Sequence, residues 1–372
     1  MFRVTSIFIG ILFCSFTSFF SVEASPQLVK NKILTFSEPI VDHVVHVDRE
    51  TIEQNSKYVG GSGIIISNQE LEVLKGRWKE RMVSKPGGSG ANTVKGLSAL
   101  GHSCRLVGSI GKDPWASFYE GEMRNSGVEI CTKKVDKPTA QVLSMVDPDG
   151  DRTMLISVGA AKEFQKEDVL DSQFDEVGLV HFEGYHIRNF SSMEKAMKMA
   201  KQFGCTVSLD LGSYQLVDEY KDKFTFLIKS YVDLLFGNMD EAKALVDAES
   251  GEELTETLSK WVDIAVVHHG GEGFWVANQE EVQFFNSCKV NKIVDSTGAG
   301  DVFTTGFLHG FLKGKPLDFC ANLAATLGAL VVQVEGGELP HYIWARVRNG
   351  FGKGDNLFIS KGEGLYVERQ RV

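Results

Sequence analysis

The sequence predicts an α/β fold in three layers, a central and mostly parallel sheet between helices, carrying a small β lid. Three observations predict it. From residue 30 onward, short and almost wholly apolar runs alternate with helical patterns, as strands covered on both faces do. Residues 43–66 and 132–158 break that rhythm, being rich in Val, Ile and Thr around turn signals. Thirty-eight glycines against 8 prolines ask for turns with backbone freedom rather than rigid breaks.

The first strand is expected over residues 33–36, Ile-Leu-Thr-Phe. A helix over 91–100 and a strand over 104–110 follow. Next come a strand over 177–182, a helix over 192–203, and strands over 206–209, 231–236 and 264–267. Parallel strands joined this way require right-handed crossovers. The two irregular segments, with Gly60-Gly61-Ser62-Gly63 and Asp147-Pro148-Asp149-Gly150-Asp151 as turns, read as antiparallel hairpins apart from the parallel core. No internal repeat, low-complexity tract or long linker divides the 372 residues. Residues 30–345 therefore read as one domain with the lid segments inside it, and 346–372 as a tail.

Hydrophobic residues make up 43% and charged residues 24%, enough apolar content for a sizeable core. A net charge of −10 argues against nucleic acid as the main partner. The six cysteines form no C-x-x-C pair and mostly sit in or beside apolar runs, so they read as buried free thiols, with neither a disulfide framework nor a zinc site. The N-terminus points elsewhere. Arg3 precedes an apolar run over 7–20, and Val22 and Ala24 stand at −3 and −1 of a cleavage point. Residues 1–25 thus have the pattern of a secretory signal peptide, which leaves export or membrane tethering open.

The segment Asp295-Ser296-Thr297-Gly298-Ala299-Gly300-Asp301 carries the chemistry. A strand-like run ends, a glycine-rich turn follows, and Phe303, Phe307, Leu308 and Phe311 recur at helical spacing as far as Gly314. Gly298, Ala299 and Gly300 then sit at a helix N-terminus, where N–H groups point outward and the dipole adds about half a positive charge. An anion hole with a carboxylate beside it suits a base, Asp301, that takes a proton from a hydroxyl attacking a phosphate. The bland alternative is a glycine-rich turn with a helix-capping Asp. A second turn, Pro86-Gly87-Gly88-Ser89-Gly90-Ala91-Asn92, also runs into a helix. Its glycines would let backbone approach a polyhydroxyl ligand, with Asn92 bonding hydroxyls, although a plain turn explains it as well. No G-x-x-x-x-G-K-[ST] occurs, and Gly108-Ser109-Ile110-Gly111 lacks the spacing of a dinucleotide fingerprint.

Together these motifs resemble the ribokinase-like, or pfkB, family of carbohydrate and nucleoside kinases over residues 32–337, with most likeness to its adenosine-kinase-like branch. The likeness rests on D-[ST]-x-G-A-G-D at 295–301 and G-G-x-x-x-N at 87–92. It implies an ATP- and Mg²⁺-dependent phosphotransferase acting on a primary hydroxyl of a nucleoside or sugar, and it allows a monovalent cation. Asp301 matches the family base, and Gly298, Ala299 and Gly300 match its anion hole. Asp42, Gly87, Gly88, Asn92 and Glu183 stand where substrate contacts are expected. Asn238 and Glu241 resemble the N-x-x-E motif that organises Mg²⁺ and phosphate, although Asn-x-x-Glu is also a capping pattern. Gly270 and Gly273 belong to the nucleotide loop, Asn322 stands near an adenine pocket, and Arg152, on the lid turn, is placed to reach a phosphate on closure. Two departures stand out: Thr35-Phe36-Ser37 where the family often has glycine, and His268 where it usually has threonine, which puts nucleotide preference in question. Family lids sometimes pair between subunits, so a homodimer is open. ATP use points to the cytoplasm, whereas the leader motivates a non-catalytic exported ligand-binding protein as the alternative.

Overall fold

The computed structural model describes residues 30–55, 63–148, 152–350 and 367. The leader 1–25, turn residues Gly60, Gly61, Ser62, Asp149, Gly150 and Asp151, and nearly all of the tail beyond Gly350 lie outside the described residues. In chain order the strands are β1 (Lys32–Phe36), β2 (Ile40–His46), β3 (Gly63–Ile65), β4 (Val83–Gly87), β5 (Ser103–Ile110), β6 (Val128–Lys134) and β7 (Ala140–Val146). They continue with β8 (Arg152–Ser157), β9 (Val177–Glu183), β10 (Thr206–Asp210), β11 (Leu234–Asn238), β12 (Ile264–His268), β13 (Phe274–Ala277) and β14 (Val282–Phe285).

Nine strands form the main sheet in the order β14-β13-β12-β11-β10-β9-β1-β5-β6. Every neighbour from β6 to β12 is parallel, and the β13–β14 hairpin closes one edge antiparallel. The strands are almost wholly buried because helices cover both faces. One face carries Leu34, Phe36, Val180, Phe182 and Leu209 against helices that include Phe190–Gln202 and Lys221–Tyr231. On the other lie Ser89–Ala99, Ala299–Leu312 and Leu317–Val331. Phe307 is completely buried there, its ring edge-on to Phe236 at 5.3 Å; such burial contributes roughly 1.5–3 kcal/mol.

Strand β1 lies between β5 and β9, so successive connections leave it in opposite directions. In a parallel sheet such a switch point opens a crevice at the carboxyl ends of the strands. The residues there are polar. Thr35, His181 and Ser208 are register neighbours across β1, β9 and β10, and Ser37, Glu183 and Asp210 follow two residues on, pointing the same way.

A second, five-stranded sheet runs β3-β8-β7-β2-β4. Among the described residues of this sheet, consecutive strands pair antiparallel at β7 and β8. The stretch 43–66 is no hairpin: β2 and β3 are separated by the helix Arg49–Asn55, and each pairs in parallel with a later strand, β2 with β7 and β3 with β8. The start of 132–158 belongs to β6, at the edge of the main sheet. Val and Ile alternation marks a strand without naming its partner, which explains both corrections. Helices Arg49–Asn55 and Asn68–Trp78 cover one face through Ile52, Leu71 and Trp78. Trp115, on helix Pro114–Asn125 of the main body, packs edge-on to His43 at 4.6 Å and lies 4.7 Å under the buried Lys75 ammonium, tying the two sheets together.

Candidate active site

The helix Ala299–Leu312 begins at Gly298, whose φ of 69° is left-handed. A side chain there would be strained and would also press on Gly337 O at 3.2 Å, so the position favours glycine. Asp295 shapes the approach, accepting from Thr297 N–H at 2.8 Å and Gly336 N–H at 2.7 Å. Ala299 N–H turns back onto Ser296 O at 3.2 Å, whereas the Gly298 and Gly300 N–H groups find no protein acceptor among the described residues. That end of the helix suits an anion.

One turn on, Asp301 accepts from Ser89 Oγ at 2.7 Å and from Asn92 Nδ2 at 2.8 Å. Burial raises its proton affinity above the ordinary carboxylate range, while those hydrogen bonds and the Lys95 charge oppose the rise. Both donors come from the start of helix Ser89–Ala99. Gly88 caps that helix with φ 100°, a conformation open to glycine, and a side chain there would meet Glu38 O at 3.0 Å. Asp42, on β2, lies so close to Gly87 that any side chain at 87 would collide with its carboxylate. The structure thus gathers Asp42, Gly87, Gly88, Asn92, Gly298, Ala299, Gly300 and Asp301 around one crevice.

Glu183 does not line it. Only 1% exposed, it accepts from Glu38 N–H at 2.7 Å, Gly90 N–H at 2.6 Å and Ser37 Oγ at 3.2 Å, stitching the exit of β1 to the helix start. Burial, then the charge of Glu38, raises it to about 8. Asn238 and Glu241 form a capping box: Asn238 N–H and Nδ2 donate to the two Glu241 oxygens at 2.8 Å each, and Glu241 N–H donates back at 2.9 Å. Both Glu241 oxygens thus accept hydrogen bonds within the cap. Burial first raises Glu241 to about 7. It faces Asp210, whose carboxyl burial and the Glu241 and Asp301 charges raise well above its ordinary value.

A cavity of about 290 Å³ adjoins the anion hole, walled by His268, Phe274, Phe303, Ala325, Gly328 and Val332, with Gly270 at its mouth. His268 rests on Phe303 at 5.8 Å, and burial lowers it to about 4, so its ring is neutral at pH 7. Gly270 and Gly273 hold φ of 51° and 135°, shaping the loop between β12 and β13. Asn322 is not on the wall: it donates to Asp318 O at 2.6 Å within its own helix. Arg152 opens β8 opposite Val146.

Residues 70–342 match the pfkB family of carbohydrate kinases. The chain belongs to that family. Among relatives of this kinase, a nucleoside kinase of Methanocaldococcus jannaschii is 27% identical over 70% of this chain and 83% of its own. The adenosine kinase structure from Sinorhizobium meliloti superimposes with TM-score 0.77 at 28% identity, covering 85% of this chain and 99% of that one. A probable sugar kinase from Rhizobium etli gives TM-score 0.79 at 27% identity over 86% and 98%. The kinase is an α/β protein of the ribokinase-like kind, a phosphotransferase of the carbohydrate and nucleoside class. Among the described residues no helix is long and apolar enough to cross a membrane. Sequence reasoning missed Ser89, Asp210 and the turn Glu335–Gly337. An Asp ending an apolar strand before Gly212 was the one available signal for Asp210.

Proposed function

We propose that this kinase transfers the γ-phosphoryl of ATP to a primary hydroxyl of a nucleoside, adenosine-like, or of a sugar with a similar reach. The observation that carries the reading is Asp301, desolvated and hydrogen-bonded, one turn from N–H groups without protein acceptors. Asp301 takes the hydroxyl proton, and the Gly298 and Gly300 N–H groups stabilise charge developing on the phosphoryl oxygens. The apolar cavity takes the planar base of ATP, because it opens directly onto Ala299 and Gly300.

The open face of the small sheet supports the nucleoside choice. Lys85, Asp42, Val142, Ile156 and Ile65 stand in one cross-strand row on that face. Asp42 bonds sugar hydroxyls, and the three aliphatic residues beyond it suit a base. Beside Ile65 and Ile156 a cleft of about 800 Å³ runs to Tyr185 and Arg188 on the body. The small sheet acts as a lid that excludes water once the acceptor is seated.

The Glu241 and Asp301 charges raise the proton affinity of the buried Asp210, a demand for positive charge that Mg²⁺ bound with the nucleotide would meet. Mg²⁺ keeps several waters and takes few protein ligands, so it would be held largely through water. Mg²⁺ would neutralise phosphate charge. A panel of nucleosides, pentoses, fructose and inositol with coupled ADP detection tests the reading. ADP release stimulated by adenosine above the sugars is expected; release with no acceptor on the panel overturns it.

A further inference from the structure

The turn Glu335–Gly337 touches both the small sheet and the approach to the anion hole. On the first side, His46 Nε2 lies 2.7 Å from Glu335 Oε1, and the Lys85 side chain packs so closely on Gly336 that any side chain at 336 would collide with Nζ. On the second, Gly336 N–H donates to Asp295 at 2.7 Å, and Gly337 backs directly onto Thr297 O and Gly298. Gly336 and Gly337 hold φ of 79° and 66°, a turn shape that other residues adopt only with strain. Two side chains of β2 and β4 therefore press on the same turn that braces Asp295, Thr297 and Gly298.

The two contacts are unequal. The His46 and Glu335 side chains are each 60% exposed, and contacts so open to water add little. Lys85 is better placed: it stands opposite Asp42 in the β2–β4 register and shares its surroundings with Lys95, whose charge is felt by Asp42, Asp301 and Glu338.

We propose that Lys85 is a positioning residue and Glu335–Gly337 a closure sensor. With the small sheet seated as it is in this structure, Lys85 rests on Gly336, which fixes Asp295, Thr297 and Gly298 in the arrangement that aims N–H groups at the transferring phosphoryl. The anion hole is then complete only with the lid down, so water is a poor acceptor. The inference rests on the phosphoryl-transfer reading.

The test uses the full chain with Lys85→Met, which keeps the unbranched apolar stem and removes the ammonium, and Lys85→Arg, which keeps the charge. Lys85→Met lowers kcat for the acceptor by about tenfold or more while the KM for ATP stays within about twofold, and Lys85→Arg recovers most of the loss. Hydrogen exchange at the Gly336 and Gly337 amides, read without substrates, speeds up in Lys85→Met and not in Lys85→Arg. Unchanged exchange in Lys85→Met overturns the proposal, as does an equal loss of kcat in both variants. Absence of phosphoryl transfer by the unsubstituted chain would sink the kinase reaction instead, and the exchange arm would still decide whether Lys85 holds the turn.

Discussion

Asn92 and Asp301, 209 residues apart in the chain, meet through a 2.8 Å hydrogen bond from amide to carboxylate. It joins the starts of two helices, so the acceptor-side turn and the anion-hole turn are built around one carboxylate. Asp301→Asn keeps the size of the side chain and removes the base. Turnover should fall by a factor of about 10² or more with ATP binding retained, since general-base catalysis contributes on that scale. Steady-state kinetics beside ATP titration checks this, and a normal turnover number in the Asn variant would exclude Asp301 as the base.

Asn92→Ala tests the same bond through pH. Burial raises the Asp301 pKa, and the Asn92 and Ser89 hydrogen bonds hold it down because they favour the charged form. Losing Asn92 pushes it further up. A base works only when ionised, so the acid limb of kcat/KM should move to higher pH. A limb that stays in place would mean that this bond does not tune the reaction.

Glu183 makes stability itself depend on pH. Its folded pKa, raised from 4.5 to about 8, means that the folded chain holds a proton the unfolded chain has released between those values. The contribution is full below about 4.5 and lost as pH rises through about 8. Glu38, raised to about 7 by burial, acts in the same direction. Glu183→Gln removes one of the two titrations, so Tm should fall less steeply with pH across that window. Its absolute stability drops, because one amide oxygen replaces two acceptors for the Glu38 and Gly90 N–H groups. Thermal melts at several pH values decide it, and a slope as steep as in the unsubstituted chain would refute the assignment.

The parallel sheet was legible because each buried strand is a short apolar run in local sequence, and the start of helix Ala299–Leu312 because strand end, glycines and helical spacing adjoin. What lay outside local sequence was not legible. Ser89 reaches Asp301 across 212 residues, Thr304 reaches Asp210 across 94, and Gly336 reaches Asp295 across 41. Glu183 and Asn322 were placed in contact with ligands because sequence does not give burial; one is sealed by three donors and the other bonds its own helix. Asn238 and Glu241 read equally as ligands or as a cap, and the cap geometry is what the structure contains.

Gly328 separates stability from nucleotide binding. It lies inside helix Leu317–Val331 and on the wall of the cavity beside the anion hole. A methyl group there would meet Phe303 Cβ at 3.6 Å, an ordinary contact, so Gly328→Ala introduces no clash. Alanine in a helix interior gains about 0.5–1 kcal/mol over glycine, and Tm should rise by about 1–3 °C. The same methyl takes room from a cavity of only about 290 Å³, where the base of ATP is to lie flat. The KM for ATP should therefore rise severalfold while the KM for the acceptor, bound across the crevice at Asp42, stays the same. Calorimetry and initial rates with each substrate varied in turn measure both effects. A higher Tm with an unchanged KM for ATP would place the nucleotide outside this cavity.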